Sequence, residues 1–264
     1  MSDPLMEVVE STRRLNQVIE EKAGQIDAEV AKAKQDFENL ANKLSIISGF
    51  EAINYNGDFR DTVEAPNSKG EVNVFPIGMG VGTGRNNCVI TEIIPVWSGK
   101  DPETRDPEAQ ELLQYMGSNA KNFSSSFNIL KMTITDPATL LELPNYDFYI
   151  PEQHVKRSPS ATFMAYFKTI GDFSVSHLGS SNGEWTRVVE HNSTTAPGSY
   201  THIDLNFSGV LKEGDVLYLA LPTICAGLFP KEYKHGNLYN PRETHIRRHH
   251  LSTEPEESSS SSEA

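Results

Sequence analysis

The chain has 264 residues, of which 37% are hydrophobic and 22% charged, with a formal net charge of −13 at pH 7. This length allows one sizeable core with extensions. The acidic balance argues against a nucleic-acid partner, because binding a phosphate backbone requires clustered Lys and Arg. No apolar run suits a signal peptide or a membrane span, so we expect cytoplasmic synthesis and no membrane insertion.

The first predicted element is a helix over residues 5–47, a stretch interrupted only by Gly24. Its apolar residues follow two heptad frames offset by four residues, an offset typical of a coiled-coil stutter. The first frame holds Leu5, Val8, Thr12, Leu15 and Ile19, and the second holds Ala23, Ile26, Val30, Ala33, Phe37, Leu40, Leu44 and Ile47. At 1.5 Å per residue the helix would extend roughly 65 Å. We expect residues 1–48 to form a parallel, self-associating stalk, with packing against the rest of the chain as the alternative.

After Gly49 the pattern changes to strands. The β-rich runs are 72–75, 88–96 and 127–135, and cleaner alternation follows in 163–167, 173–175, 203–207 and 216–220. Turn residues separate the later strands at 180–183 and 212–215. The pattern predicts a two-sheet β-sandwich of about eight to ten strands over residues 51–235.

A short helix is predicted inside this β-rich region. Asp106 fits its N-cap, Pro107 its first position and Gly117 its C-terminal end. The two cysteines, Cys88 and Cys225, lie in apolar strand-like runs. We expect them to be buried free thiols, and a disulfide between them is the alternative.

Four motifs then occur in one order: Asn56-Gly57-Asp58-Phe59, the strand from Ser160 to Thr169, Gly183-Glu184-Trp185-Thr186-Arg187-Val188, and the strand from Asp215 to Pro222. This series resembles the jelly-roll carbohydrate-binding modules of glycoside hydrolases and phage tail fibres. The resemblance covers about 185 residues. It implies a jelly-roll fold in which the opening motif belongs to the first strand and the Trp185 indole packs in the core.

A stalk followed by such a module is typical of phage tail fibres and related receptor-binding proteins, which are usually trimers. The resemblance implies a homotrimeric virion appendage that contacts other tail or baseplate proteins and binds a host-surface glycan. Three weak sites on one stalk would give firm attachment through multivalency. The alternative is a structural appendage, such as a collar or baseplate component, whose jelly roll makes protein contacts without binding sugar.

Sugar recognition requires flat apolar surfaces beside polar side chains. Trp97 ends a predicted strand at a loop, where its indole would be exposed. In the strand of residues 200–207, His202, Asp204 and Asn206 share the face opposite the apolar set, and Tyr166 alternates in the same way on its own strand. These five residues form the candidate ligand site. An ordinary solvated sheet face is the alternative.

Other chemistries are weakly indicated. The resemblance implies a structural calcium near the opening motif, which makes Asp58 and Asp61 the candidate ligands. The glycine-rich stretch 78–84 lacks the Lys-Ser/Thr ending of a phosphate-binding loop and precedes a strand, so a strand edge is expected. No nucleophile-elbow, His-Glu-x-x-His or Cys-x-x-Cys motif occurs, and we expect no enzymatic activity.

The last residues, 236–264, are expected to be a basic segment followed by a disordered Ser/Glu-rich tail. His235, His245, His249 and His250 are concentrated near its start. His245 and His249 would share a helix face and could bind a transition metal. An exposed basic patch is the preferred interpretation of the four histidines.

Overall fold

A computed structural model describes residues 4–48, 50–81, 84–118, 120–142, 148–151, 160–193 and 202–238. Its contacts divide the chain into two units, Met1–Gly49 and Phe50–Ala264. We call them the helical unit and the β unit and describe each by itself. The basic segment and tail predicted beyond residue 238, with His245, His249 and His250, lie outside the described residues.

The helical unit is one helix, α1, Pro4–Ser48. The prediction of a continuous helix is confirmed, since neither Gly24 nor any other described residue interrupts it. Every α1 side chain that the structure describes is exposed. This includes apolar side chains of both heptad frames, with Leu15 59%, Ile26 58% and Phe37 72% exposed.

The described part of the β unit contains two α-helices, α2 Pro107–Met116 and α3 Pro137–Glu142, and two short 3-10 helices, Arg85–Asn87 and Pro102–Thr104. The strands are β1 Thr62–Pro66, β2 Val72–Pro76, β3 Gly80–Val81, β4 Val89–Val96, β5 Phe127–Ile134, β6 Phe148–Pro151, β7 Ser160–Ile170, β8 Asp172–Val175, β9 Thr186–Ser193, β10 His202–Leu205, β11 Phe207–Val210 and β12 Val216–Ala226. The predicted mainly β character with an N-terminal helix is confirmed. The glycine-rich stretch contributes β3, and its residues 82–83 lie outside the described ranges.

The strands form one large sheet and three small ones. The large sheet has the order β4-β5-β12-β7-β9, and the small sheets are β10-β6-β3, β11-β8 and β1-β2. All pairings between these strands are antiparallel. β12 is buried from Leu217 to Cys225 because it lies at the centre of the large sheet, which is covered on both faces.

The main core lies on one face of the large sheet, which we call its inner face. β7 directs Phe163, Ala165 and Phe167 into it, as its alternation predicts. The small sheets supply the opposing side chains, among them Phe148 of β6 and Ile203 of β10. The unit therefore has two β layers around one apolar interior.

The other face of the large sheet, its outer face, is covered by α2. Ala109, Leu112 and Leu113 are buried against a cluster that includes Trp185 and Tyr218. The core position predicted for Trp185 is confirmed, because its side chain is only 4% exposed. The sheet is thus enclosed on this side as well.

The ends of α2 are those that the sequence predicts. The Asp106 carboxylate accepts a hydrogen bond from the Glu108 N–H at 2.9 Å, which caps the first turn. Gly117 has φ +82°, and its N–H donates to the Gln114 carbonyl at 2.9 Å. The Ser118 N–H donates to the Leu113 carbonyl at 2.8 Å, so the C-terminus has the Schellman pattern.

A buried ion pair fixes α2 to the sheet. The Lys168 ammonium lies 2.7 Å from Glu111 Oε2 and 3.1 Å from Glu108 Oε2. Burial alone would lower the pKa of Lys168, but the hydrogen bonds and charges of the two glutamates outweigh it and raise this pKa. Lys168 shares the outer face with Tyr166, as the alternation predicts.

The opening motif does not form a regular first strand, so that expectation is wrong. Ala52 makes an isolated bridge to Cys225, and β12 is irregular between Ala220 and Thr223. Asn54 substitutes for a strand there: its Nδ2 donates to the Pro222 carbonyl at 2.9 Å, and its Oδ1 accepts from the Ile224 N–H at 2.7 Å. A side-chain amide therefore satisfies backbone groups that the bulge leaves without strand partners.

The predicted strand of residues 203–207 is divided at Asn206. β10 pairs with β6, whereas β11 pairs with β8. The Asn206 N–H donates to Ser176 Oγ at 2.9 Å, so a side chain receives it at the junction between the two sheets. The burial of Ile203, Leu205 and Phe207 confirms the apolar set.

Both cysteines are buried free thiols, as expected. Burial raises the pKa of the Cys225 thiol to about 11, so it stays protonated at neutral pH.

Candidate ligand-binding site

The five candidate ligand residues do not form one surface. Trp97 follows the end of β4, and its side chain is 49% exposed, in agreement with the expected exposed indole. Asp204 lies on β10 in the opposite β layer and is half-buried, as is Asn206. Only the backbone of His202 is described, in β10. The described side chains therefore do not bring Trp97 and Tyr166 together with Asp204 and Asn206, and the predicted groove along β10 stays a prediction.

Tyr166 is the clearest correction. Its side chain is fully buried on the outer face, so it does not line a surface groove with Asp204. Its hydroxyl donates to the His235 carbonyl at 2.8 Å and accepts from the His235 N–H at 3.1 Å. Tyr166 instead forms hydrogen bonds with a later segment of the chain. This face of the sheet is covered by α2 and by the residues after β12.

The two aspartates predicted to bind calcium are engaged by protein donors. Asp58 is fully buried, and its Oδ2 accepts from Asn237 Nδ2 at 3.2 Å. Asp61 Oδ2 accepts from the Tyr55 hydroxyl at 2.6 Å. Within the described ranges, no group of three or more His, Cys, Asp or Glu side chains is arranged to hold a metal ion.

The segment after β12, residues 229–238, folds back over the outer face, and we call it the C-terminal strap. Its Phe229 N–H donates to Thr162 Oγ1 at 2.9 Å. The Arg187 guanidinium donates to the carbonyls of Lys231 and Tyr233. Contacts of the strap continue to Leu238, which packs beside Phe229.

His235 is the centre of the strap and is not part of an exposed patch, so that expectation is wrong for this histidine. Its side chain is 3% exposed, and its ring stacks on Tyr166 with the ring centroids 4.7 Å apart. His235 Nε2 lies 3.1 Å from the Leu221 carbonyl, which assigns the proton to Nε2. Nδ1 is buried and has no hydrogen-bond partner among the described residues.

These surroundings keep His235 neutral. Burial lowers its pKa to about 4, and the nearby positive charge of Arg187 acts in the same direction. The hydrogen bond to the Leu221 carbonyl opposes this shift without cancelling it. At neutral pH the imidazole is therefore an uncharged packing group with one satisfied donor.

A cleft of about 220 Å³ opens where the strap meets α2 and the loop that precedes β5. Its apolar lining residues are Leu113, Met116, Phe123, Phe127 and Leu221. Its other lining residues are Ser118, Ser124, Ser125, Lys234, His235, Gly236 and Asn237. Concave sites with apolar walls and a few polar groups are typical of small-molecule binding.

Local contacts hold the cleft walls in place. Arg105 is buried and donates to three loop carbonyls, those of Lys100, Ala120 and Lys121, and its guanidinium lies 5.3 Å from the Phe123 ring centroid. Lys234 donates to the Tyr115 carbonyl, with its ammonium 4.7 Å from the ring centroid of the same residue. These contacts within the protein therefore fix the positions of the cleft walls.

The sequence gives little indication of this site. Its residues come from α2, from a loop, from the bulge at Leu221 and from the strap, which are separated by up to about 120 positions.

No protein-family model matches the chain, and no curated protein matches it. No helix in the described part of the chain is long and apolar enough to cross a membrane.

Proposed function

We propose that the protein is a phage tail fibre or spike that trimerises through α1 and presents a jelly-roll-like β unit for attachment to a host-surface glycan. It acts as a binding protein of the virion and not as an enzyme. One observation carries the proposal: α1 has 45 residues, and those of its apolar heptad side chains that the structure describes are exposed in the single chain.

The exposed heptads support self-association. Burying a Val, Leu, Ile or Phe side chain contributes about 1.5–3 kcal/mol, and an isolated helix gains no such contribution. Side chains from both frames, including Ile19 at 55% and Val30 at 62% exposure, can gain it from a partner surface. Parallel copies of the same helix offer a matching stripe in register, and the resemblance to tail fibres favours three copies.

The β unit supports a recognition role. Two antiparallel layers around one core are compatible with a jelly roll, and the cleft has the mixed apolar and polar lining that sugars require. Three such clefts on one stalk would raise the avidity for a repeated surface glycan by roughly 10²–10⁴ over one site.

A second candidate function is a structural appendage that makes protein contacts. It is favoured by the β1-β2 ribbon, in which four of the five residues of β1 are exposed. Val63 is 49% and Val72 54% exposed on this ribbon. Exposed apolar side chains of this kind are available to a protein partner.

A printed panel of bacterial surface glycans tests the proposal with the full chain. We compare the wild type with Ile26→Asp/Val30→Asp, which places charges on the heptad stripe, and with Gln25→Asp/Ala28→Asp, which places them beside it. Binding should fall at least tenfold in the first variant alone, because only that variant loses multivalency. A trimeric wild type that binds no glycan would instead support the structural appendage.

A further inference from the structure

We infer that the cleft between α2, the loop before β5 and the C-terminal strap binds one neutral sugar ring. This inference rests on the proposed glycan-binding function and gives it a site different from the residues that the sequence predicted. The site is built from the cleft residues Phe123, Ser124, Lys234 and Asn237, with Leu221 at the bulge.

The size of the cleft limits the ligand. Sites for drug-sized molecules enclose about 300–1,000 Å³. A cleft of about 220 Å³ is smaller than these and holds roughly seven waters, at about 30 Å³ each. A single ring with its substituents suits this space, whereas the rest of a glycan chain would extend into solvent.

The cleft lining offers partners for both the apolar C–H groups and the polar hydroxyl groups of a sugar ring. Phe123 and Met116, which are half-buried and line the cleft, offer apolar surface for ring C–H groups. Ser124 is exposed at the cleft, and its hydroxyl can donate to or accept from a ligand hydroxyl. The Lys234 ammonium has three donors, of which one reaches the Tyr115 carbonyl, so another can serve a ligand oxygen.

The charge around the cleft favours a neutral ligand. The Asn237 amide, which lines the cleft, also contacts the buried Asp58 carboxylate at 3.2 Å, so an acidic group lies behind the wall that carries Lys234. His235 is neutral at this site. The formal net charge of −13 also disfavours the approach of anions.

Ligand-observed NMR on the full chain tests the site with free monosaccharides. The panel contains neutral hexoses, deoxyhexoses and N-acetylhexosamines, with hexuronates as their acidic counterparts. We expect saturation transfer to at least one neutral sugar. Ser124→Trp, which fills the cleft from an exposed position, should weaken binding at least tenfold, and Lys234→Met should weaken it several-fold. Ala138→Trp, on the exposed side of α3, should bind like the wild type.

Each other outcome overturns the inference. These outcomes are no binding of any monosaccharide, binding of hexuronates alone, or equal binding by Ser124→Trp in a protein with an unchanged melting temperature. The glycan panel separates this failure from failure of the proposed function. Glycan binding that persists in Ser124→Trp rejects the cleft and leaves the attachment function in place, whereas absence of all glycan binding rejects both.

Discussion

His235 combines ring stacking with a buried acceptor, Nδ1, that receives no hydrogen bond from the described residues. Its ring is stacked on Tyr166 and lies edge-on to Phe229, with ring centroids 4.7 Å and 6.2 Å away. The charged and titratable groups facing it are Arg187, a source of positive charge, and Tyr166. A proton on Nδ1 would place a charge and an unpaired donor in this site. His235 therefore stabilises the strap only in its neutral form.

The stability of the β unit should consequently fall with acidity. The unfolded chain binds a proton at His235 below its ordinary pKa of 6.5, whereas the folded chain does so only near pH 4. The stabilisation is thus complete above pH 6.5 and decreases as the pH falls through this window, by about 2 kcal/mol at pH 5. Urea unfolding of the wild type and of His235→Gln at pH 7.5 and pH 5 measures this loss.

Gln is the matched replacement because its amide can still donate to the Leu221 carbonyl without a titrating group. His235→Gln should therefore lose less stability than the wild type between the two pH values. Equal losses in both proteins would contradict a neutral, buried His235.

At the scale of elements, the attachment of α2 depends on the ion pair of Lys168. This ammonium is nearly buried and contacts Glu108 and Glu111, while Glu111 remains 41% exposed at its side chain. Because solvent screens the more exposed partner, the stabilisation is smaller than for a fully buried pair. The helix also buries Leu112 and Leu113, so the ion pair adds to apolar contacts and does not replace them.

Lys168→Met should destabilise the β unit by about 1–2 kcal/mol, because it leaves two adjacent carboxylates without their counter-charge. Lys131→Met is the matched control: Lys131 pairs with Glu92 at 3.0 Å in the same sheet, but Glu92 is 56% exposed. Lys131→Met should lower the unfolding free energy by at most about 1 kcal/mol. Chemical denaturation of both variants gives the comparison, and equal losses would contradict the attachment role of Lys168.

The elements differ in how well the sequence predicts them. α2 was predicted with both of its ends because Asp106, Pro107 and Gly117 act locally. The strand alternation of β7 was predictable for the same reason. The division of 203–207 into β10 and β11 was not, since it depends on a contact between Asn206 and Ser176, which are 30 positions apart.

The opening motif shows why a sequence pattern can indicate a fold without indicating its geometry. Asn56 has φ +56°, and its side chain contacts the backbone of Asp61 and Ile77. A Cβ at Gly57 would lie 3.0 Å from the Pro222 carbonyl oxygen, so glycine allows the close approach to the β12 bulge. Asn56 and Gly57 are therefore required by contacts with residues far along the chain. The sequence shows that the two residues are neighbours but not which distant residues they contact.

The ligand site was the least predictable feature. Trp97 was correctly expected to be exposed, but Tyr166 and Asp204 belong to opposite faces of the two-layer unit. Alternation predicts which residues share one face of a strand. It does not predict which strand faces lie next to each other in the fold. The cleft depends on the strap, whose position follows from contacts such as those of Arg187 and His235.

For the whole molecule, the proposed attachment function depends on association of the α1 helices of several chains. The described residues of the β unit pack with one another in three apolar clusters, and they give no reason for a preceding 45-residue helix with apolar heptads. Association of three chains would bury those heptads and place three β units on one stalk. Attachment by weak single sites requires this arrangement.

Sedimentation equilibrium of the full chain at micromolar concentration tests this claim most directly. We predict a species with three times the mass of one chain for the wild type and for Gln25→Asp/Ala28→Asp. Ile26→Asp/Val30→Asp should shift towards the monomer while its β unit keeps the wild-type melting transition. A monomeric wild type, or a trimer that survives the charges at Ile26 and Val30, would contradict the account.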